Sequence, residues 1–109
     1  MDKGWIAIDL DGTLAYYDEW RGSHHIGEAV PLMLSRVKNM LAEGKRVKIF
    51  TARASQPDFD IRIIHAWCKK YGLPPLEVTY QKDYLMIECW DDRAIQVIPN
   101  TGIRVDGNP

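Results

Sequence analysis

Apolar positions along the chain fall into short runs and helical stripes that alternate. Trp5 to Leu10 is an apolar run of strand length, interrupted only by Asp9. From Glu28 to Glu43, Val30, Met33, Leu34, Val37, Met40 and Leu41 recur at helical spacing, with Pro31 tolerable in the first turn and Gly44 as the stop. Arg46 to Phe50 reads as a second strand. A second helix, opened by Ser55, Pro57 and Asp58, sets Phe59, Ile63, Ile64, Trp67 and Tyr71 on one face; Gly72 ends it, and Pro74 with Pro75 forbids its continuation. Leu76 to Tyr80 and Leu85 to Trp90 are the third and fourth strands, and Ile95 to Ile98 a short fifth. This alternation predicts an α/β domain, a parallel sheet with helices on its faces.

Composition narrows the picture. The 109 residues suit one domain, with enough chain for a single core. Hydrophobic residues at 46% and charged residues at 27% argue against disorder, and a formal net charge of −1 gives no reason to expect a general nucleic-acid or membrane-surface binder. No apolar run is long enough to span a bilayer. Asp2, Lys3 and Gly4 lead directly into the first strand, which is not how a signal peptide reads. Cys68 and Cys89 form no C-x-x-C pair, so two reduced, packed thiols in a cytoplasmic protein are expected.

In parallel sheets, ligands gather outside the carboxyl ends of the strands. Here the first strand ends in "DLDGT", the second in "TAR" and the fourth in "WDDR", so polar groups far apart in sequence are predicted to converge on one edge. Two carboxylates about 4 Å apart repel by roughly 4 kcal/mol at an effective dielectric near 20, so Asp9, Asp11, Asp91 and Asp92 need a cation, a proton or a substrate among them. A calcium loop is excluded: counting from Asp9, the sixth position is Leu14 and the twelfth Trp20, where Gly and Glu are required.

"DLDGTL", "TAR", the lysine of "QKD" and "DD" before "RA", in that order, resemble the four motifs of the haloacid dehalogenase-like (HAD) superfamily of phosphotransfer enzymes, and the closing "YQKDYLMIECWDDRAIQVIPNTG" resembles its small capless members. The resemblance implies a three-layer Rossmann-like sheet with helices on both faces and no cap domain, residues 1–109 forming a single hydrolase domain. It implies a magnesium-dependent phosphatase acting on a phosphomonoester through an aspartyl-phosphate. Asp9 would be the nucleophile and Asp11 the general acid and base. Magnesium would be held by Asp9, the Asp11 carbonyl and Asp91, with Asp92 behind them or reaching the metal through water. Thr51 would hydrogen-bond the phosphoryl oxygens and Lys82 would supply positive charge, with further substrate contacts at Gly12, Thr13, Ala52 and Arg53. Lys69 and Lys70, at a helix end, more naturally offset its dipole.

Other residues stay open between two roles. Arg53 and Arg93 fit either a phosphate contact or a structural salt bridge, and His24 and His25 either a substrate contact or a solvated loop. Tyr16, Tyr17 and Trp20 could stack on a leaving group such as a base, or pack the loop down. Glu88 is awkward in a strand covered on both faces. The 14 residues from Leu14 to Gly27 cannot form a cap, which needs roughly 50 residues, so a bulky substrate or a partner subunit is expected to cover the site. The rival from another class is a phosphate- or metal-binding module without turnover. Nucleic acid enters only as a substrate, through its phosphorylated ends or as nucleotides.

Overall fold

The computed structural model describes residues 3–109 as an α/β domain with a four-stranded, all-parallel sheet. Along the chain come β1 (Trp5–Asp9), α1 (Pro31–Ala42), β2 (Arg46–Phe50), a 3-10 turn (Ala52–Ser55), α2 (Ile61–Lys70), β3 (Glu77–Thr79) and β4 (Met86–Trp90). In space the order is β3-β2-β1-β4, which makes the most apolar strand, β1, central and β4 an edge.

Residue parity divides the sheet. Ile6 pairs with Val47 and Ile8 with Ile49, and these four join Val37 and Met40 of α1 and Ile64, Trp67 and Cys68 of α2 in one buried cluster. The crossovers β1–α1–β2 and β2–α2–β3 step in the same direction, and right-handed connections then deliver both helices to one face. The return from β3 to β4 crosses the other face. Trp5 is buried there, its Nε1–H donating to Asp83 Oδ1 at 2.9 Å, with Lys48 Nζ 4.3 Å from its ring centroid.

Both helices begin later than periodicity suggests. Residues before α1 are taken by a long-range pairing: Ala15 bridges Ala29, Tyr16 N–H donates to the Glu28 carbonyl and Val30 N–H to the Leu14 carbonyl, each at 2.8 Å. Pro31 then sits at the first helical position, where its missing N–H costs nothing. For α2 the cap is Asp60 rather than Ser55, Pro57 or Asp58, its carboxylate accepting Arg62 N–H at 3.0 Å. Gly44 and Gly72, at φ +78° and +75°, end the helices in the left-handed conformation glycine tolerates.

The expected fifth strand, Ile95–Ile98, does not join the sheet. Pro99 offers no N–H, and Asn100 and Gly102 take positive φ of 65° and 74°, so the chain folds back on itself. Val97 bridges Arg104, and Ile98 N–H donates to the Ile103 carbonyl at 2.8 Å. Glu88 is accommodated because β4 is an edge: it is exposed and accepts Trp90 Nε1–H at 3.1 Å. Both cysteines are free, but only Cys68 is packed; Cys89 is exposed. No helix among the described residues is long and apolar enough to cross a membrane.

Candidate active site

The chain leaves β1 through a tight wrap anchored by buried Leu10 and Leu14. The Leu10 carbonyl accepts N–H groups from Thr13, Leu14 and Ala15, at 3.3, 3.1 and 2.8 Å. Gly12 takes φ +91°, and a Cβ on it would stand 2.7 Å from Asp92 Oδ2. Only glycine lets this turn seat directly against the acidic end of β4.

That seating brings the three carboxylates together. Asp9 lies at the end of β1, and Asp91 and Asp92 follow β4, the strand on the opposite side of β1 from β2 and β3. The site is therefore the switch point of the sheet. One ligand atom from each of Asp9, Asp91 and Asp92 lies within 4.8 Å of the others. Thr13 Oγ1 bridges, 3.3 Å from Asp9 Oδ2 and 3.3 Å from Asp92 Oδ1. Asp91 Oδ1 accepts Arg93 N–H at 2.7 Å. Burial first, then a hydrogen bond with Asp92 and the charges of Asp91 and Asp92, push the Asp9 carboxyl up to about 7. Three converging carboxylates could hold a hard dication, which prefers oxygen donors, and such an ion would keep Asp9 ionised.

Asp11 is held apart from this cluster by Arg53. Arg53 Nε donates to Asp11 Oδ2 at 2.7 Å and Nη2 to Oδ1 at 2.9 Å, a bidentate pair with little solvent contact on either side chain. The same guanidinium donates to the carbonyls of Ser23, at 3.3 Å, and His25, at 2.9 Å, and lies 4.9 Å from the Trp20 ring centroid. The open choice for Arg53 therefore falls, in this conformation, on the salt bridge. Thr51 is 3% exposed; its N–H donates to the Thr79 carbonyl at 2.9 Å and its Oγ1 accepts Arg53 N–H at 3.2 Å, which fixes the "TAR" turn beside β1.

These groups line a cleft of about 710 Å³ that brings together Asp9, Asp11, Thr51, Ala52, Arg53, Asp91 and Asp92, with Arg93 on its wall. Gly12 and Thr13 join it through Asp92 and Asp9. Lys82 does not line the cleft; it is exposed on the β3–β4 connection, where its charge acts on Cys89. Lys69 and Lys70 sit in the last turn of α2. His24 and His25 are both exposed, and His25 serves Arg53 through its backbone carbonyl.

Of the loop aromatics, Tyr17 and Trp20 line the cleft and Tyr16 does not. Three further aromatic walls were missed by sequence reasoning: Phe50, Phe59 and Tyr80. Tyr80 directly follows β3, so the strand-end rule applied to "VTY" would have found it. Phe59, expected on the apolar face of the second helix, precedes α2 but does pack against the core cluster, and it lines the cleft as well.

Comparison of the chain with protein-family profiles, with curated proteins and with solved structures found no match in any of the three.

Proposed function

We propose that this protein is a magnesium-dependent phosphomonoesterase of the HAD-like type, working through an aspartyl-phosphate on Asp9. The observation that carries the reading is the meeting of Asp9, Asp91 and Asp92 within 4.8 Å at the sheet's switch point, opening into the cleft beside buried Thr51. A carboxyl with its pKa pushed up to about 7 is a poor nucleophile at neutral pH, so the cluster calls for a cation that restores its charge. Asp9, Asp91 and the Asp11 carbonyl, with Asp92 beside them, would hold magnesium, which would supply that charge and polarise a phosphoryl oxygen.

In the first half-reaction an Asp9 oxygen bonds to phosphorus as the ester oxygen departs, taking the proton of Asp11. In the second, Asp11 removes a proton from water, the water oxygen bonds to phosphorus, and Asp9 and inorganic phosphate are released. The Thr51 hydroxyl and neighbouring N–H groups would hold the phosphoryl oxygens, and Lys82, outside the cleft in this conformation, would add positive charge only by reaching in from the β3–β4 connection. Asp11 can act only after Arg53 lets it go, and an arriving phosphoryl dianion is a natural competitor for the guanidinium.

The finer architecture belongs to the same reading, a Rossmann-like domain without a cap, with one correction: α1 and α2 share one face and the 80–85 connection on the other carries no helix, so the expected helices on both faces are not formed among the described residues. The 16–28 loop is too short for a cap domain. Two free thiols fit a reducing compartment, hence a cytoplasmic enzyme. A bulky substrate or a second subunit would complete the exclusion of water from the open cleft.

One observation favours the rival, a binding module without turnover: both Asp11 oxygens are engaged by Arg53. Assay of the purified chain on a generic aryl phosphate discriminates. Hydrolysis dependent on magnesium and abolished by Asp9→Asn is expected, with Asp11→Asn strongly slowed. Absence of turnover across a broad phosphoester panel would favour the module.

A further inference from the structure

We propose that the cleft selects a phosphomonoester whose leaving group carries a planar aromatic ring and no second phosphate, the class of a nucleoside monophosphate. The inference rests on the phosphatase reading and names the substrate of that same site.

The walls carry the first part. Tyr17, Trp20, Phe50, Phe59 and Tyr80 line the cleft, and they arrive from separate segments: the 16–28 loop, the end of β2, the approach to α2 and the end of β3. Tyr17, Trp20 and Tyr80 are 41%, 56% and 50% exposed, so the fold leaves three aromatic side chains in contact with water around a phosphoryl site. Aromatic surface of this kind favours a flat ring laid against it. One side of Trp20 meets the Arg53 guanidinium 4.9 Å from its centroid, and its exposure leaves further ring surface open.

The platform is also fixed in advance. Tyr16 N–H donates to the Glu28 carbonyl at 2.8 Å, Trp67 Nε1–H to the Gly27 carbonyl at 2.8 Å, and Arg53 to the Ser23 and His25 carbonyls. A ligand that stacks on Tyr17 or Trp20 therefore meets a loop already tied down, which lowers the ordering cost of binding. The volume of about 710 Å³ suits a nucleoside better than a bare sugar, which would leave the aromatic half of the cleft to water.

Charge supplies the second part. Among the described residues, Asp9, Asp11, Asp58, Asp60, Asp91 and Asp92 line the cleft against only Arg53 and Arg93. Arg53 is engaged by Asp11, and Asp60 is paired with Arg62 at 2.9 Å. A dication held by Asp9, Asp91 and Asp92 would accommodate a single phosphoryl group, and the surplus of carboxylates would repel a second phosphate. Asp58 makes no hydrogen bond or ion pair with the described residues and offers an acceptor to a sugar hydroxyl or an exocyclic amine.

The test compares kcat/KM, with magnesium, for a nucleoside monophosphate, ribose phosphate and a short oligonucleotide bearing one terminal phosphate. The nucleoside monophosphate should exceed ribose phosphate by about tenfold or more, the range expected of one stacked base, with the gain in KM. Trp20→Ala and Tyr17→Ala, both at exposed positions, should narrow that ratio while circular dichroism stays unchanged. Equal use of ribose phosphate, or preference for the oligonucleotide, would overturn the inference and leave the phosphatase reading standing. If none of the three is hydrolysed although an aryl phosphate is, the inference is overturned; if the aryl phosphate and the wider phosphoester panel are also untouched, the phosphatase reading fails. Calorimetric binding of the nucleoside monophosphate against ribose phosphate then decides the cleft's selectivity alone: tighter nucleoside binding supports it, and equal binding overturns it.

Discussion

Both carboxylate oxygens of Asp11 are taken by a guanidinium that also reaches two loop carbonyls and the face of Trp20, so one side chain joins the turn after β1 to the 16–28 loop. Arg53→Ala would leave Asp11 partly buried without its partner. The expected cost is about 1–3 kcal/mol, read from the urea midpoint at constant m-value. In the Asp11→Ala background the same change should cost clearly less, because no orphaned carboxylate is left behind. At this scale the sequence made Asp9, Asp91 and Asp92 legible, since carboxylates at the ends of apolar strands have few reasons to be there. The partner of Arg53 was not legible. A long, flexible side chain can reach either a phosphate or a carboxylate, and only the approach of "TAR" to "DGT" decides which.

The first two strands, the stops at Gly44 and Gly72 and the parallel pairing were all readable from period and punctuation. The helix starts were not, because each is set by something outside its own pattern: the Ala15–Ala29 bridge for α1 and the Asp60 cap for α2. The same bridge makes the 16–28 loop a tethered element. Gly27 is its tightest point, since a Cβ there would collide with the Tyr16 carbonyl while the Gly27 carbonyl accepts from Trp67. Gly27→Ala should destabilise the protein by about 1–3 kcal/mol, the usual cost of overpacking. It should also open the loop to limited proteolysis before global unfolding; a variant as protease-resistant as the parent would mean that the loop is not held at this point. The failed fifth strand has the same lesson. Ile95–Ile98 has strand composition, but the Pro99–Gly102 turn redirects it into a hairpin.

For the whole molecule, two sets of carboxyls pull stability in opposite directions with pH. Asp9, raised from 3.8 to about 7, keeps its proton in the fold after the unfolded chain has lost it, so its contribution is complete below about 3.8 and is lost as pH rises through about 7. Asp18, Asp60, Glu77, Asp83 and Asp106 are held below the usual carboxylate range, mainly by hydrogen bonds from Arg21, Arg62, Arg46, Trp5 and Arg104. Their contribution is present above the ordinary range and is withdrawn as pH falls. The metal-free protein should therefore have its highest Tm in mildly acidic solution and lose stability toward neutral pH. Magnesium at a hundred times its Kd should add about 2.7 kcal/mol and flatten that neutral-side decline, provided it binds only the folded chain. Asp91→Asn should raise the metal-free Tm at neutral pH and remove the magnesium response. Thermal scans across pH with and without magnesium check all of this; a parent Tm indifferent to magnesium would mean that the three carboxylates hold no ion.

The chemistry assigned to Asp9 has a more direct readout than any stability curve. Protein mixed with an aryl phosphate and magnesium, quenched in acid during turnover and digested at low pH, should yield the peptide containing Asp9 carrying one phosphoryl group. Fragmentation should place that group on the Asp9 side chain, and omitting magnesium should remove it. Turnover with no phosphoryl group on Asp9, or with the group on another residue, would contradict the account.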